Sequence, residues 1–109
     1  MGRMTIACYR AKNGMEEQLR ELMKTHLPVL KSQDLVTDRS SIIMQAADGA
    51  FIEVFEWKSA EAIEAAHTNP EVLKMWQDFA EACDYIPIAA INEASDLFSE
   101  FTPVDLEKL

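Results

Sequence analysis

Glycine is scarce in this 109-residue chain, which has only Gly2, Gly14 and Gly49. A phosphate-cradling loop needs clustered glycines so that backbone N–H groups can turn onto the anion, so nucleotide cofactors held in that way are excluded. Cysteine is scarcer, with Cys8 and Cys83 far apart and no CxxC or Cys/His zinc spacing. Both sit among apolar neighbours and read as small buried hydrophobes in a reducing, cytoplasmic compartment. Two histidines, His26 and His67, fall short of the four close ligands of a structural zinc site, so no metal is expected. No GxSxG nucleophile motif is present. No apolar run reaches transmembrane length, the N-terminus lacks a signal-peptide core, and Ile6 stands where myristoylation wants Ser or Thr. A soluble protein with no membrane partner is expected. Positive charge is also in deficit: ten Lys and Arg against nineteen Asp and Glu give a net charge of −9. Such a surface repels nucleic acid and anionic membranes, and otherwise serves solubility.

What is present is a globular composition, 49% hydrophobic and 27% charged. The length suits one domain over 1–109, with a core over about 4–92 and a C-terminal arm over 93–109. Met4–Arg10 reads as a first strand, and Asn13-Gly14 turns the chain. Met15, Leu19, Leu22, Met23, His26, Leu27 and Leu30 then follow helical spacing, with a kink expected near Lys24 to Leu27 because Pro28 lacks an N–H. Gln33–Ser41 reads as a loop. Ile42–Ala47 and Phe51–Trp57 form a hairpin about Asp48-Gly49. Ser59 caps a short helix, and Asn69-Pro70 opens a longer one whose apolar face takes Val72, Leu73, Trp76, Phe79, Ala80 and Cys83. Tyr85–Asn92 reads as a last strand, at an edge because of Pro87. The order is βαββ(αα)β, an α+β, ferredoxin-like arrangement with helices on one face of a mostly antiparallel sheet.

The strands are apolar on both faces, whereas helices can cover only one. A second copy of the chain is the simplest cover for the other, which predicts a homodimer. Leu97, Phe98, Phe101 and Val104 in the acidic tail are expected to pack as an arm.

The face of Phe51, Phe55 and Trp57 also carries Glu53. Buried in an apolar cavity, such a carboxyl is a candidate general acid or base; the alternatives are pairing with Arg10 or Arg39, or a place at the dimer rim. His26 lies on the apolar stripe of the first helix, where it could orient a polar ligand atom or bond a carbonyl freed by Pro28. His67 ends the short helix, either as a proton donor or haem ligand or as a C-terminal cap. Trp57, Trp76, Phe55 and Phe79 could form a pocket between sheet and helices for a small apolar or aromatic molecule, or simply be core, and the hydroxyls of Tyr9 and Tyr85 could mark polar spots in such a pocket.

The blocks GAFIEVFEWKSAEAIEAAH and NPEVLKMW, a strand ending aromatic-x-Trp and then a Ser-capped helix with Ala-Ala-His near its end, resemble the dimeric α+β barrel superfamily. HLPVLKSQDLVTDR is similar to a subgroup of small bacterial members. That superfamily includes antibiotic biosynthesis monooxygenase-like proteins, haem-degrading monooxygenases and small stress-response proteins. The resemblance spans about residues 4–92 in element order and implies a dimer of half-barrels with a cavity in each protomer. It implies a cofactor-independent monooxygenase-like or isomerase-like enzyme acting on a small apolar or aromatic molecule. Its other branches imply haem binding or degradation, with Trp57 and His67 similar to a strand-end Trp and a helix His, or a non-enzymatic ligand-binding or stress-response dimer. Monooxygenase members commonly place an Asn on the first strand. Here that strand offers Thr5, Cys8, Tyr9 and Arg10.

Overall fold

Period-two alternation puts Phe51, Glu53, Phe55 and Trp57 on one face of a strand, Phe51–Trp57, and Ile52, Val54 and Glu56 on the other. In the structure, a computed structural model describing residues 2–108, this strand lies at the middle of a five-stranded sheet. The end residues of the expected unit 1–109 lie outside the described residues. Chain order is β1 (Arg3–Ala11), α1 (Glu16–Ser32), β2 (Ile42–Gln45), β3 (Phe51–Trp57), α2 (Ala60–Ala66), α3 (Pro70–Ala82), β4 (Cys83–Ile86) and β5 (Thr102–Pro103). Short 3₁₀ turns follow β4 at Ile88–Ala90 and Asn92–Ser95, and another spans Leu106–Lys108. The sheet runs β4-β1-β3-β2-β5 with every pairing antiparallel. This is the expected α+β, ferredoxin-like arrangement, with the helices over one face.

The local signals act as their chemistry dictates. Gly49, at φ 98°, takes the left-handed turn of the β2–β3 hairpin, and Asp48 accepts the Ala50 N–H. Ser59 Oγ accepts from Ala62 N, and Asn69 Oδ1 accepts from Glu71 N and Val72 N, with Pro70 in the first turn.

The helix α1 continues through Pro28 to Ser32, with Leu19, Met23, His26 and Leu30 buried along its length. Two expectations need correction. The buried stripe of α3 is Val72, Met75, Phe79 and Ala82, while Leu73 and Ala80 face outward. The chain leaves that helix at Cys83, which is extended (φ −151°, ψ 168°) and pairs with Ala11. Strand β4 therefore starts two residues earlier than Tyr85, and it ends at Ile86, where Pro87 removes the next donor.

The helix-side core gathers Tyr9, Leu19, Met23, Leu30, Phe51 and Phe79 among others. On the opposite face the chain covers part of its own sheet: Ile88, Ile91, Ala94 and Phe101 pack on Cys8, Ala50 and Ile52. Beyond this cover Met4, Ile6 and Ile42 stay more than half exposed. The tail divides. Phe101 joins the outer cluster, Val104 packs on the helix-side core, and β5 pairs with β2. Leu97 and Phe98, expected to pack, are exposed.

Candidate functional site

Register alone aligns the site. Ala7 of β1 lies opposite Glu53 of β3, Thr5 opposite Phe55, and Tyr9 opposite both Phe51 and Tyr85. Ala7, being small, leaves room above the sheet for the side chains of Tyr9 and Glu53 to meet. Tyr9 Oη donates to Glu53 Oε1 at 2.7 Å, and both residues are only 1% exposed. Amphipathic spacing on α1 then brings His26 down onto the same carboxyl. Its Nδ1 lies 3.0 Å from Oε1. The approach is not in line for a hydrogen bond, which leaves Nδ1 buried without a partner among the described residues, and Glu53 Oε2 is buried and unpartnered as well. Arg10 pairs with Asp48 and Arg39 with Glu56, so neither basic residue foreseen as a partner reaches Glu53. His26 likewise turns to Glu53 rather than to a carbonyl near Pro28.

His26 packs edge-on to Phe55 and Phe79, with centroids at 5.1 and 5.5 Å. Beside it a cavity of about 250 Å³ is lined by Thr5, Ala7, Tyr9, His26, Phe55, Trp57, Trp76 and Tyr85. With Nδ1 turned to Glu53, the Nε2 edge of the imidazole is left to this cavity. The structure thus brings together Tyr9, His26, Phe55, Trp57 and Trp76, with Glu53 directly behind Tyr9 and His26 rather than in the lining.

His67 is elsewhere. It is exposed at the end of α2, its Nδ1 is 2.8 Å from the Ile63 carbonyl oxygen, and its ring lies edge-on to Trp76. That is a capping position. Thr5 and Ala7 line the cavity without any sequence signal of their own for it, whereas Tyr85 takes the place its hydroxyl suggested. The odd-numbered alternation of β1 placed Thr5 and Ala7 with Tyr9, whereas Tyr85 needed the β1–β4 register.

Burial, reinforced by the Glu53 charge and hydrogen bond, holds the Tyr9 hydroxyl well above its ordinary range. Burial likewise raises Tyr85, so both phenols stay neutral donors. Burial and then Asp84 push the Cys83 thiol up to about 11, and burial also raises Cys8; neither is a ready nucleophile.

A neutral imidazole backed by a buried carboxylate can accept a proton from a molecule in the cavity and return it, and poor alignment without ligand is common in such pairs. An apolar cavity of roughly 150 Å³ takes a benzene ring, so this one suits one ring with substituents or two small rings. Among the described residues no group of three or more His, Cys, Asp or Glu side chains could hold a metal ion, and no helix is long and apolar enough to cross a membrane. A concavity of about 290 Å³ beside α1 is larger, but its polar groups, Lys24, Lys31, Ser40, Ser41 and Glu107, include none that is buried and unpartnered.

No family model matches the chain, and no curated protein matches it in sequence. Among solved structures it is similar to that of Rv0793 from Mycobacterium tuberculosis. The TM-score is 0.63 at 18% identity, over 79% of this chain and 89% of that one. At that identity the likeness is one of fold, a small α+β protein.

Proposed function

We propose that this chain is a dimeric α+β barrel protein whose protomer cavity binds a small, largely apolar or aromatic molecule and moves a proton on it without a cofactor. The chemistry is isomerase-like: His26 takes a proton from an acidic C–H or O–H of the bound molecule and returns it at another atom. Glu53 orients the imidazole and balances its charge while protonated, and Tyr9 holds Glu53 in place. Tyr85 and Thr5, which also line the cavity, can donate to the oxygen on which charge develops.

The observation that carries this reading is the 3.0 Å approach of His26 Nδ1 to the buried Glu53 Oε1 at the wall of an aromatic cavity. A buried carboxyl with an unsatisfied oxygen is costly and serves packing poorly. Its pairing with a cavity-facing imidazole gives that cost a use. The exposed row Met4, Ile6 and Ile42, continued by half-buried Val54, supports the dimer as cover for the rest of the outer face.

The test is hydrogen–deuterium exchange at the α-carbon of acetophenone in D₂O, followed by NMR. The protein should accelerate exchange saturably, and His26→Gln should abolish the acceleration while leaving the circular dichroism spectrum unchanged. If acetophenone binds, as quenching of tryptophan fluorescence would report, and no exchange follows, the site is a binding module. Failure of acetophenone and other small aromatic compounds to bind would remove the cavity reading altogether.

A further inference from the structure

The cavity lining has a marked charge bias. Five of its eight residues are Tyr, Phe or Trp, a sixth is His26, and none is Lys or Arg. The rings are set at angles to one another, 63° between Tyr9 and Tyr85 and 54° between Phe55 and Trp57, so they form walls rather than a stack. Each ring face carries the negative part of its quadrupole. Directly behind the lining lies Glu53, 1% exposed, whose neighbours are a hydroxyl and an imidazole and which has no Lys or Arg in ion-pair distance among the described residues. Among the described residues Oε2 of that carboxyl has no hydrogen-bond partner. The cation nearest along the same face of β1 is Arg3, two residues beyond Thr5 at the exposed start of the strand, where water screens it. The net charge of −9 adds a long-range attraction for positive ligands.

We infer that the molecule held between these rings carries an alkylated ammonium group beside its apolar body. Such a group matches each feature. Its methyl groups are apolar enough to enter a pocket that offers few hydrogen bonds. Its charge is diffuse, so desolvation is cheap relative to a primary ammonium, and ring faces within about 6 Å attract it. The buried carboxylate supplies the counter-charge across one layer of side chains without direct contact. A compact anion would face the ring faces and the carboxyl behind them. This inference rests on the cavity being the binding site and adds the charge class of what it binds.

Both tryptophans of the chain, Trp57 and Trp76, line the cavity, so their fluorescence reports its occupancy. Three probes of nearly one shape separate charge from size: phenyltrimethylammonium, the neutral tert-butylbenzene and the anionic benzenesulfonate. The cation should quench saturably and bind about tenfold more tightly than tert-butylbenzene, with no saturable binding of benzenesulfonate. Glu53→Gln should shrink the cation's advantage to about threefold or less and leave tert-butylbenzene unchanged. Trp76→Leu, at a half-buried position, should weaken the cation more than the neutral probe while Trp57 still reports. Equal or tighter binding of tert-butylbenzene or benzenesulfonate would overturn the charge class and leave the cavity reading standing. An unaltered cation preference in folded Glu53→Gln and Trp76→Leu proteins would overturn it as well. Absence of saturable quenching by all three probes would defeat both.

Discussion

Glu53 is the residue least compatible with its surroundings on stability grounds, and Tyr9 is what makes it tolerable. The Tyr9 hydroxyl supplies the one hydrogen bond the carboxyl receives from the described residues. Tyr9→Phe keeps the ring and removes that donor, and should cost about 1–3 kcal/mol in urea unfolding because a buried acceptor is left unsatisfied. Combining it with Glu53→Leu should recover much of the loss, since both ends of the polar contact then go together; a double-mutant cycle measures this. The same burial sets an alkaline limit. Tyr9 and Cys83 keep their protons in the folded protein above the pH at which the unfolded chain releases them, ordinarily 10.0 and 9.0. The unfolded state then binds fewer protons, so stability falls as pH rises. For Cys83 the contribution is complete below pH 9 and is lost as pH rises through about 11. For Tyr9 the loss begins above pH 10. Urea midpoints measured from pH 8 to 11.5 should fall along this limb. They should fall less in Cys83→Ala, while loss of stability on the acid side only would contradict the assignment.

Among the elements, α1 carries a defect that packing overrides. Pro28 sits four residues from its end and leaves the Lys24 carbonyl without its helical donor, yet the helix runs on. Pro28 is exposed, so Pro28→Ala restores the N–H without disturbing the core. It should raise stability by about 1–3 kcal/mol. In α3 the opposite change applies: Asn69→Ala removes an acceptor used by two backbone donors and should cost about 1 kcal/mol. Thermal melts of the two variants moving in the same direction would show that helix ends and interiors do not govern stability here.

For the whole molecule, the unresolved balance is on the outer face of the sheet. The chain covers Cys8, Ala50 and Ile52 with its own segment, while Ile6 and Ile42 flank Val54 in register and stay exposed. If this strip is the seam between two copies, light scattering should report twice the 12.3 kDa protomer mass. Ile6→Lys should convert the dimer to monomer, by placing a charge in the seam, with the far-ultraviolet circular dichroism spectrum preserved. A wild-type monomer at micromolar concentration would refute the seam and leave the fold as described.

Sequence by itself determined the element order, the caps at Ser59 and Asn69, the hairpin at Gly49 and the sheet face shared by Phe51, Glu53, Phe55 and Trp57. Each follows from forces acting within a few residues: side-chain alternation, a missing Cβ, or a side chain bonding a nearby N–H. Glu53, His26 and the aromatic lining were legible as residues out of place on apolar stripes. Who meets whom was not. The contact of Tyr9 with Glu53 spans 44 positions. The approach of His26 needs α1 to cross the sheet at one particular place. Tyr85 enters the cavity only because β4 begins at Cys83, and His67 leaves it only because the end of α2 turns to solvent. Strand register and helix docking decide such meetings, and both are set by the collective packing of the core, to which each residue contributes too little to be read alone.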